Sequence, residues 1–332
     1  MLKLKYLFDN RDLAIMLLEN WEYDKDALDM MDYYRISGNA IYPYKCNGEI
    51  CFLRFVPWEA KIENELNEEI KFIQYLLENG LNVLEPIMSK QGNYLLNKNT
   101  PWGKYLVCAF RRVEGDRLDG FNSDGIDWTD ELIRGYGKEL GKIHKFSSKY
   151  RNVPKKSCFE MIEEMDNFIK TKLVNNKIIS KELEEVKSLL QKLPQNKSNY
   201  GLIHGDYELD NVFYDKKTKK YSVIDFGSSI YHWYAMDIEI SLNNLQEELP
   251  QKKFEEIKTL FINGYKEEYQ INEDEFKYLP LFRRFENLRE YIGLKDTLEE
   301  TWDNEPLWML ELRENLNIHL KELESNFVNN YV

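Results

Sequence analysis

This chain predicts an α+β fold in two unequal parts: a small antiparallel β-sheet carrying one long helix, followed by a larger, mostly helical remainder. Three observations lead there. β-rich runs separated by turn signals fill residues 37–113, with one amphipathic helical stretch among them. From residue 235 to the end nearly every window has helical spacing, with Pro250, Pro280 and Pro306 as punctuation. Between these regions, residues 201–227 read GLIHGDYELDNVFYDKKTKKYSVIDFG. Two carboxylates, an asparagine and a histidine are set there against two short apolar runs joined by a charged turn at 215–220.

Taken in order, residues 7–34 place Leu13, Met16, Leu17 and Trp21 at helical spacing, which predicts one or two short helices. The turn signals Ser37-Gly38-Asn39 and Asn47-Gly48 then flank β-rich runs at 40–44 and 50–56, and Asn-Gly between such runs is the strongest short-range hairpin signal. From Trp58 to Asn79, Ile62, Leu66, Ile70, Ile73 and Leu77 fall three or four apart, predicting a helix closed by Gly80. VLEPIM, GNYLLN and KYLVCAFRRVEG supply further strands. The first lobe is therefore expected over 1–113. A connector at about 113–127 holds Gly115, Gly120 and Gly125 and leads to a helical lobe over 114–332. In that lobe, Leu132, Tyr136, Leu140 and Ile143 share a helix face with Gly137 and Gly141, small residues that predict close approach by another element. Residues 158–193 predict two more helices.

Composition narrows the function. The 332 residues carry 45 Lys and Arg against 58 Asp and Glu, a formal charge of −13. This argues against a broad nucleic-acid surface, which needs clustered cations. The four cysteines, Cys46, Cys51, Cys108 and Cys158, show no C-x-x-C pair and read as reduced thiols. No run reaches the roughly 18 apolar residues of a membrane span. The expectation is a soluble, cytoplasmic protein, monomer or homodimer, with no nucleic-acid or membrane partner.

The chemistry lies in 201–227. Phosphoryl transfer asks a protein to hold a nucleotide, let metal ions bridge its phosphates, and aim a carboxylate at the attacking hydroxyl. His204-Gly205-Asp206 is followed five residues later by Asn211, and Asp225 comes 225 − 206 = 19 residues after Asp206. If residues 212–214 and 221–224 pair as a hairpin, Asn211 and Asp225 reach the same end, where oxygen ligands suit Mg2+.

H-G-D-x-x-x-x-N followed by I-D-F-G resembles the aminoglycoside phosphotransferase and choline-kinase-like family. These are small-molecule relatives of the protein kinases, whose own catalytic loop reads H-R-D-L-x-x-x-N before D-F-G. The resemblance covers most of the chain in order and implies a two-lobed, protein-kinase-like fold using ATP and Mg2+. It implies Asp206 as catalytic base, His204 as a brace of the loop, and Asn211 and Asp225 as metal ligands. In the first lobe it implies Arg54, in CFLRF, as the phosphate-binding cation, Glu69 as its partner with Glu65 as fallback, and Ser37 in the phosphate-covering turn. The strip Phe110, Arg111, Arg112 and Val113 would be the hinge that meets adenine. Asp237, in SSIYHWYAMDIEISL, would secure the catalytic loop. The implied reaction moves the γ-phosphate to a hydroxyl of a small molecule such as an aminoglycoside, an amino alcohol or homoserine.

Plainer readings compete at each position. Asp225 could cap a turn, Arg54 could be a surface residue on a half-exposed strand, and acids on the 58–79 helix could be solvated. Tyr231, Trp233 and Tyr234 read equally as core or as substrate wall. A Ser/Thr protein kinase of the bacterial stress-response type and a non-catalytic nucleotide-binding module are the alternatives in function. Against the protein kinase, no A-P-E segment follows Gly227. Glu208 departs from the better-known relatives, which carry Lys or His two residues past the catalytic aspartate. It points away, binds a cation, or meets a cationic acceptor.

Overall fold

The computed structural model describes residues 2–120, 126–151 and 156–329. Helix α1 (Arg11–Leu18) starts at Asn10, whose side chain accepts from the Leu13 amide, and a 3-10 segment (Lys25–Tyr33) follows. Strands β1 (Arg35–Ile36), β2 (Ala40–Cys46) and β3 (Glu49–Pro57) form an antiparallel meander. Asn47 and Gly48 both take positive φ (53° and 79°), as a two-residue hairpin turn demands.

Helix α2 (Glu63–Glu78) begins five residues later than its apolar spacing predicts. Trp58 instead donates to Lys104 O (2.9 Å) and Ala60 to Pro57 O (2.9 Å), so residues 58–62 turn back over the sheet before the helix can start. Gly80 has φ 83°, in keeping with its C-terminal role. Strands β4 (Pro86–Ile87), β5 (Leu95–Thr100) and β6 (Gly103–Arg111) complete a six-stranded sheet of order β1-β2-β3-β6-β4, with β5 also on β6. β3 lies inside the sheet, so Arg54 is buried rather than half-exposed.

The connector is better anchored than its glycines suggest. Its β7 (Asp116–Arg117) forms the third strand of the central hairpin, and the Leu118 amide donates to Val212 O (2.9 Å). Gly115, at φ 104°, lies so close to the Tyr214 backbone that a Cβ there would meet it at 2.5 Å. Gly125 falls outside the described residues.

Helix α3 (Asp130–Ser147) is capped by Thr129, and α4 (Cys158–Lys172) by a Ser157–Glu160 capping box; α5 (Lys177–Leu190) follows. Strand β8 (Tyr200–Ile203) leads into the loop 204–211. β9 (Val212–Asp215) and β10 (Lys220–Val223) pair with Val212 opposite Val223, and β11 (Ile230–Trp233) returns beside β8. Helices α6 (Tyr234–Glu248), α7 (Phe254–Glu268), α8 (Leu279–Thr297) and α9 (Leu307–Asn329) close the fold. Pro280 lies in the first turn of α8, where a missing amide costs nothing, rather than between helices.

Gly137 and Gly141 on α3 face the backbone of Phe261 and Tyr265 on α7, and Gly264 on α7 faces Arg134. This is the close approach that small residues predict. One apolar cluster runs from Phe72 and Ile73 on α2 through Tyr136 and Leu140 on α3 to Val212, Val223 and Phe226 of the hairpin region. A second, with Trp21, Tyr42 and Leu53, covers the other face of the sheet. No helix among the described residues is long and apolar enough to cross a membrane.

Candidate active site

β8 ends at Ile203, and the chain turns at Gly205 with φ 78°. A side chain at Gly205 would collide with the Ser228 carbonyl, so glycine is required for the turn. Asp237, fully buried at the start of α6, fixes this turn by accepting from the His204 amide (2.7 Å) and the Gly205 amide (2.8 Å). Its carboxylate also meets His144 Nε2 of α3 at 3.0 Å, and His144 Nδ1 meets the Tyr265 hydroxyl at 2.8 Å. Burial disfavours the charge on Asp237, but His144, His204 and the Gly205 amide outweigh it and hold the carboxyl below its ordinary value. The role expected of Asp237 thus matches its contacts. His144 and Tyr265, distant in sequence, carry no local motif that announces them.

His204 is buried and its Nε2 lies 2.9 Å from Ile224 O, so it ties the loop 204–211 to the strand that leads to Asp225. Asn211 Nδ2 donates to Asp206 O (2.9 Å) and Oδ2 (3.2 Å). The Ile224 amide donates to Asn211 O (2.9 Å), so the hairpin brings Asn211 and Asp225 to one end, as the sequence predicts. Asp225 takes a left-handed conformation (φ 58°, ψ 66°), and its Oδ1 accepts from the Gly227 amide at 3.3 Å. Phe226 behind it is buried against His204 and Phe72 of α2.

Across from this end, Arg54 Nη1 donates to Glu69 Oε1 at 2.6 Å, with both residues buried. Arg54 lies over the Phe110 ring at 4.8 Å from its centroid, while its Nη2 is buried with no partner. Asp225 and Glu69 are close: a Cβ on Gly227 would sit 3.1 Å from Asp225 Oδ1 and 3.8 Å from Glu69 Oε2. The fallback Glu65 instead faces Lys156 (3.5 Å).

The hinge strip divides. Phe110 is buried against Arg54, and the Arg111 and Arg112 amides already donate to Glu85 O (2.8 Å) and Ile50 O (3.2 Å). The Arg111 side chain pairs outward with Glu49 (2.7 Å) and Glu85 (3.2 Å). Of the four, Val113 keeps an amide that no bond among the described residues uses. The Ser37 amide is likewise spent inside its own turn, on Asn39 O (3.0 Å). Arg35, two residues before Ser37, reaches the catalytic loop at Asp210 (3.8 Å).

The electrostatics around Asp206 come from residues scattered through the second half of the chain. Burial, with Asp225, Glu286 and Asp210 nearby, lifts the Asp206 carboxyl to about 7 against the pull of Arg289. Burial, with Asp206, Asp210 and Glu286, lifts Glu208 to about 8, again opposed by Arg289. Glu286 and Arg289, paired one turn apart on α8, are site residues that the sequence reading missed. Trp233 and Tyr234 are fully buried core, whereas Tyr231 is half-buried.

Residues 52–281, more than two thirds of the chain, match the model of the phosphotransferase enzyme family. The chain belongs to that family. It is a small-molecule phosphotransferase with a kinase-like fold, and both expectations stand. Among its relatives is the amicoumacin kinase of Bacillus subtilis (strain 168), 23% identical over 297 residues, covering 87% of this chain and 85% of the relative. An amicoumacin kinase solved in complex with AMP-PNP, Ca2+ and Ami superposes with a TM-score of 0.77 at 19% identity, covering 97% of this chain and 95% of that one. A microcompartment-associated aminopropanol kinase superposes at 0.69 with 16% identity, over 97% and 98% of the two chains.

Proposed function

We propose that this phosphotransferase moves the γ-phosphate of ATP to a hydroxyl of an amine-bearing small molecule. One arrangement carries the reading: Asp206, Asn211 and Asp225 converge at one end of the β9–β10 hairpin, opposite a buried arginine with an unpartnered guanidinium nitrogen. A buried guanidinium nitrogen left without a hydrogen bond is costly even when its neighbour is paired, unless a ligand supplies the acceptor. Nucleotide phosphate oxygens fit that need. Among the described residues no group of three or more His, Cys, Asp and Glu gathers to hold a metal. Asn211 and Asp225 instead offer oxygen ligands, which suit Mg2+, an ion that binds through one or two carboxylates and completes its shell with phosphate oxygens and water.

In this reading Arg54 holds the nucleotide phosphates, Glu69 fixes Arg54, and the Val113 amide is offered to adenine. Asn211 and Asp225 are the residues that would hold Mg2+, which supplies charge stabilisation to the phosphates. Asp206 accepts the acceptor's hydroxyl proton as its oxygen bonds the γ-phosphorus and the bond from that phosphorus to the β,γ-bridging oxygen breaks, releasing ADP. Asn211 orients Asp206 through its amide. Burial and the neighbouring carboxylates Asp206, Asp210 and Glu286 keep Glu208 protonated up to about pH 8, and an ammonium bound beside it would relieve that crowding, which favours an amine. The structural neighbour named as an aminopropanol kinase agrees with that preference. Only Ser228 and Ser229 separate Gly227 from β11, leaving no peptide-docking segment there, so a small acceptor is favoured over a protein. We place the lobe boundary near residue 113 and the enzyme, as an ATP user, in the cytoplasm.

Thermal melting tests the donor half. ATP with MgCl2 at a hundredfold excess over Kd should stabilise the protein by about 2.7 kcal/mol. Asp225→Ala should abolish the metal dependence of that shift, while Asp206→Asn should keep the shift and lose turnover. No shift with any nucleoside triphosphate and metal would contradict the reading.

A further inference from the structure

The segment that delays α2 also delivers a cation to the site. Lys61 lies in the turn between β3 and α2, and its ammonium is 3.3 Å from where a Cβ on Gly227 would sit. That point is within 4 Å of both Asp225 Oδ1 and Glu69 Oε2, so Lys61 stands over the metal-binding end of the hairpin. The Cys108 thiol, opposite Arg54 on β6, feels the charge of Lys61 as well as that of Arg54. Among the described residues the Lys61 ammonium has no ion-pair or hydrogen-bond partner. Its backbone is held on both sides, by the Trp58 amide on Lys104 O (2.9 Å) and by the Glu65 amide on Ile62 O (3.0 Å) at the start of α2. The Trp58 ring is also covered by Lys104, at 3.8 Å from its centroid. The position of Lys61 is therefore set by the fold rather than by a free surface loop.

We propose that Lys61 is a second phosphate-binding cation, reaching the terminal phosphates of the nucleotide beyond those held by Arg54. Arg54 is buried, neutralised by Glu69 and fixed in place. Lys61 is half-exposed, unpaired and carried on a flexible stem, so it can follow the phosphoryl group as a point charge. Among the described residues no other lysine or arginine comes this close to the Gly227 Cβ position. Glycine at 227 makes the approach possible, since a side chain there would press on both Asp225 and Lys61.

This inference rests on the ATP reading, and its test separates the two. Affinities of wild type, Lys61→Met and Lys61→Arg for ATP, ADP and AMP are measured by calorimetry with Mg2+ and no acceptor. The proposal expects Lys61→Met to weaken ATP about tenfold, to leave AMP unchanged and to preserve the melting temperature without ligand. Lys61→Arg should recover most of the ATP affinity. Equal ATP affinity in wild type and Lys61→Met would overturn the proposal. So would tighter Mg2+ binding by Lys61→Met with unchanged ATP affinity, which would make the ammonium an occupant of the metal position. If wild type binds no nucleotide, the ATP reading itself fails.

Discussion

Asp206 is buried among like charges, and in the proposed mechanism that setting decides when it can act as a base. Burial and the carboxylates of Asp225, Glu286 and Asp210 lift it to about 7, so below that pH it holds its proton and cannot accept another. In the proposed mechanism kcat/KM should fall about tenfold per pH unit on the acid side of that value. Arg289 opposes the lift, so Arg289→Met should move the acid limb to higher pH by about one unit. A cation bound at Asn211 and Asp225 favours ionised Asp206, so raising free Mg2+ should move the limb the other way. A profile flat from pH 5.5 to 8, or a limb unmoved in the variant, would contradict this account of Asp206. At this scale the sequence was uneven evidence. His204, Asp206, Asn211 and Asp225 lie within one short stretch and share a motif. Arg289, Glu286 and Lys61 reach the site only through tertiary packing, and no local pattern of residues marks them.

Among elements, the α3–α7 crossing supports the catalytic loop from behind, through His144 on one helix and Tyr265 on the other. Its intimacy depends on glycine: a Cβ at Gly264 would meet the Arg134 carbonyl well inside contact distance, and the neighbour is backbone, which cannot rotate away. Gly264→Ala should therefore destabilise the fold by about 1–3 kcal/mol through overpacking, although alanine is the better helix former. Urea unfolding checks this, and a stabilised variant would show that the helices do not pack so closely. The glycines of α3, the Asn47-Gly48 hairpin and the apolar stripe of α2 were all readable, because each is a local pattern with one structural solution. The start of α2 was not, because the hook of Trp58 onto β6 is a long-range contact that overrides an acceptable helical spacing. The amide accounting of residues 110–113 was hidden for the same reason: which N–H groups the neighbouring Glu85 and Ile50 carbonyls occupy depends on strand pairing.

For the whole molecule, two backbone ties join the halves of the site. The Val223 amide donates to Asn82 O (3.0 Å), and the Leu84 amide to Val223 O (3.2 Å), so the loop after α2 is fastened to the hairpin that carries Asn211 and Asp225. Glu69, on the same helix, therefore keeps its distance from Asp225, and with it Arg54. On the other side of the cleft, Arg35 and Arg117 both approach Asp210 at 3.8 Å and join the first sheet and the connector to the catalytic loop. In the proposed mechanism the donor half of the site is thus built from tied elements, while the acceptor half is a cluster of carboxyl groups from α8 and the loop 204–211. The central claim is that this assembly transfers phosphate from ATP to an amine-bearing hydroxyl compound. Phosphorus NMR of the protein incubated with ATP, Mg2+ and a panel of aminoglycosides, amino alcohols and homoserine tests it most directly. The account predicts a phosphate monoester resonance on at least one acceptor, growing as ADP appears and absent with Asp206→Asn. No new phosphate ester with any acceptor, or the same ester formed at the same rate by Asp206→Asn, would contradict it.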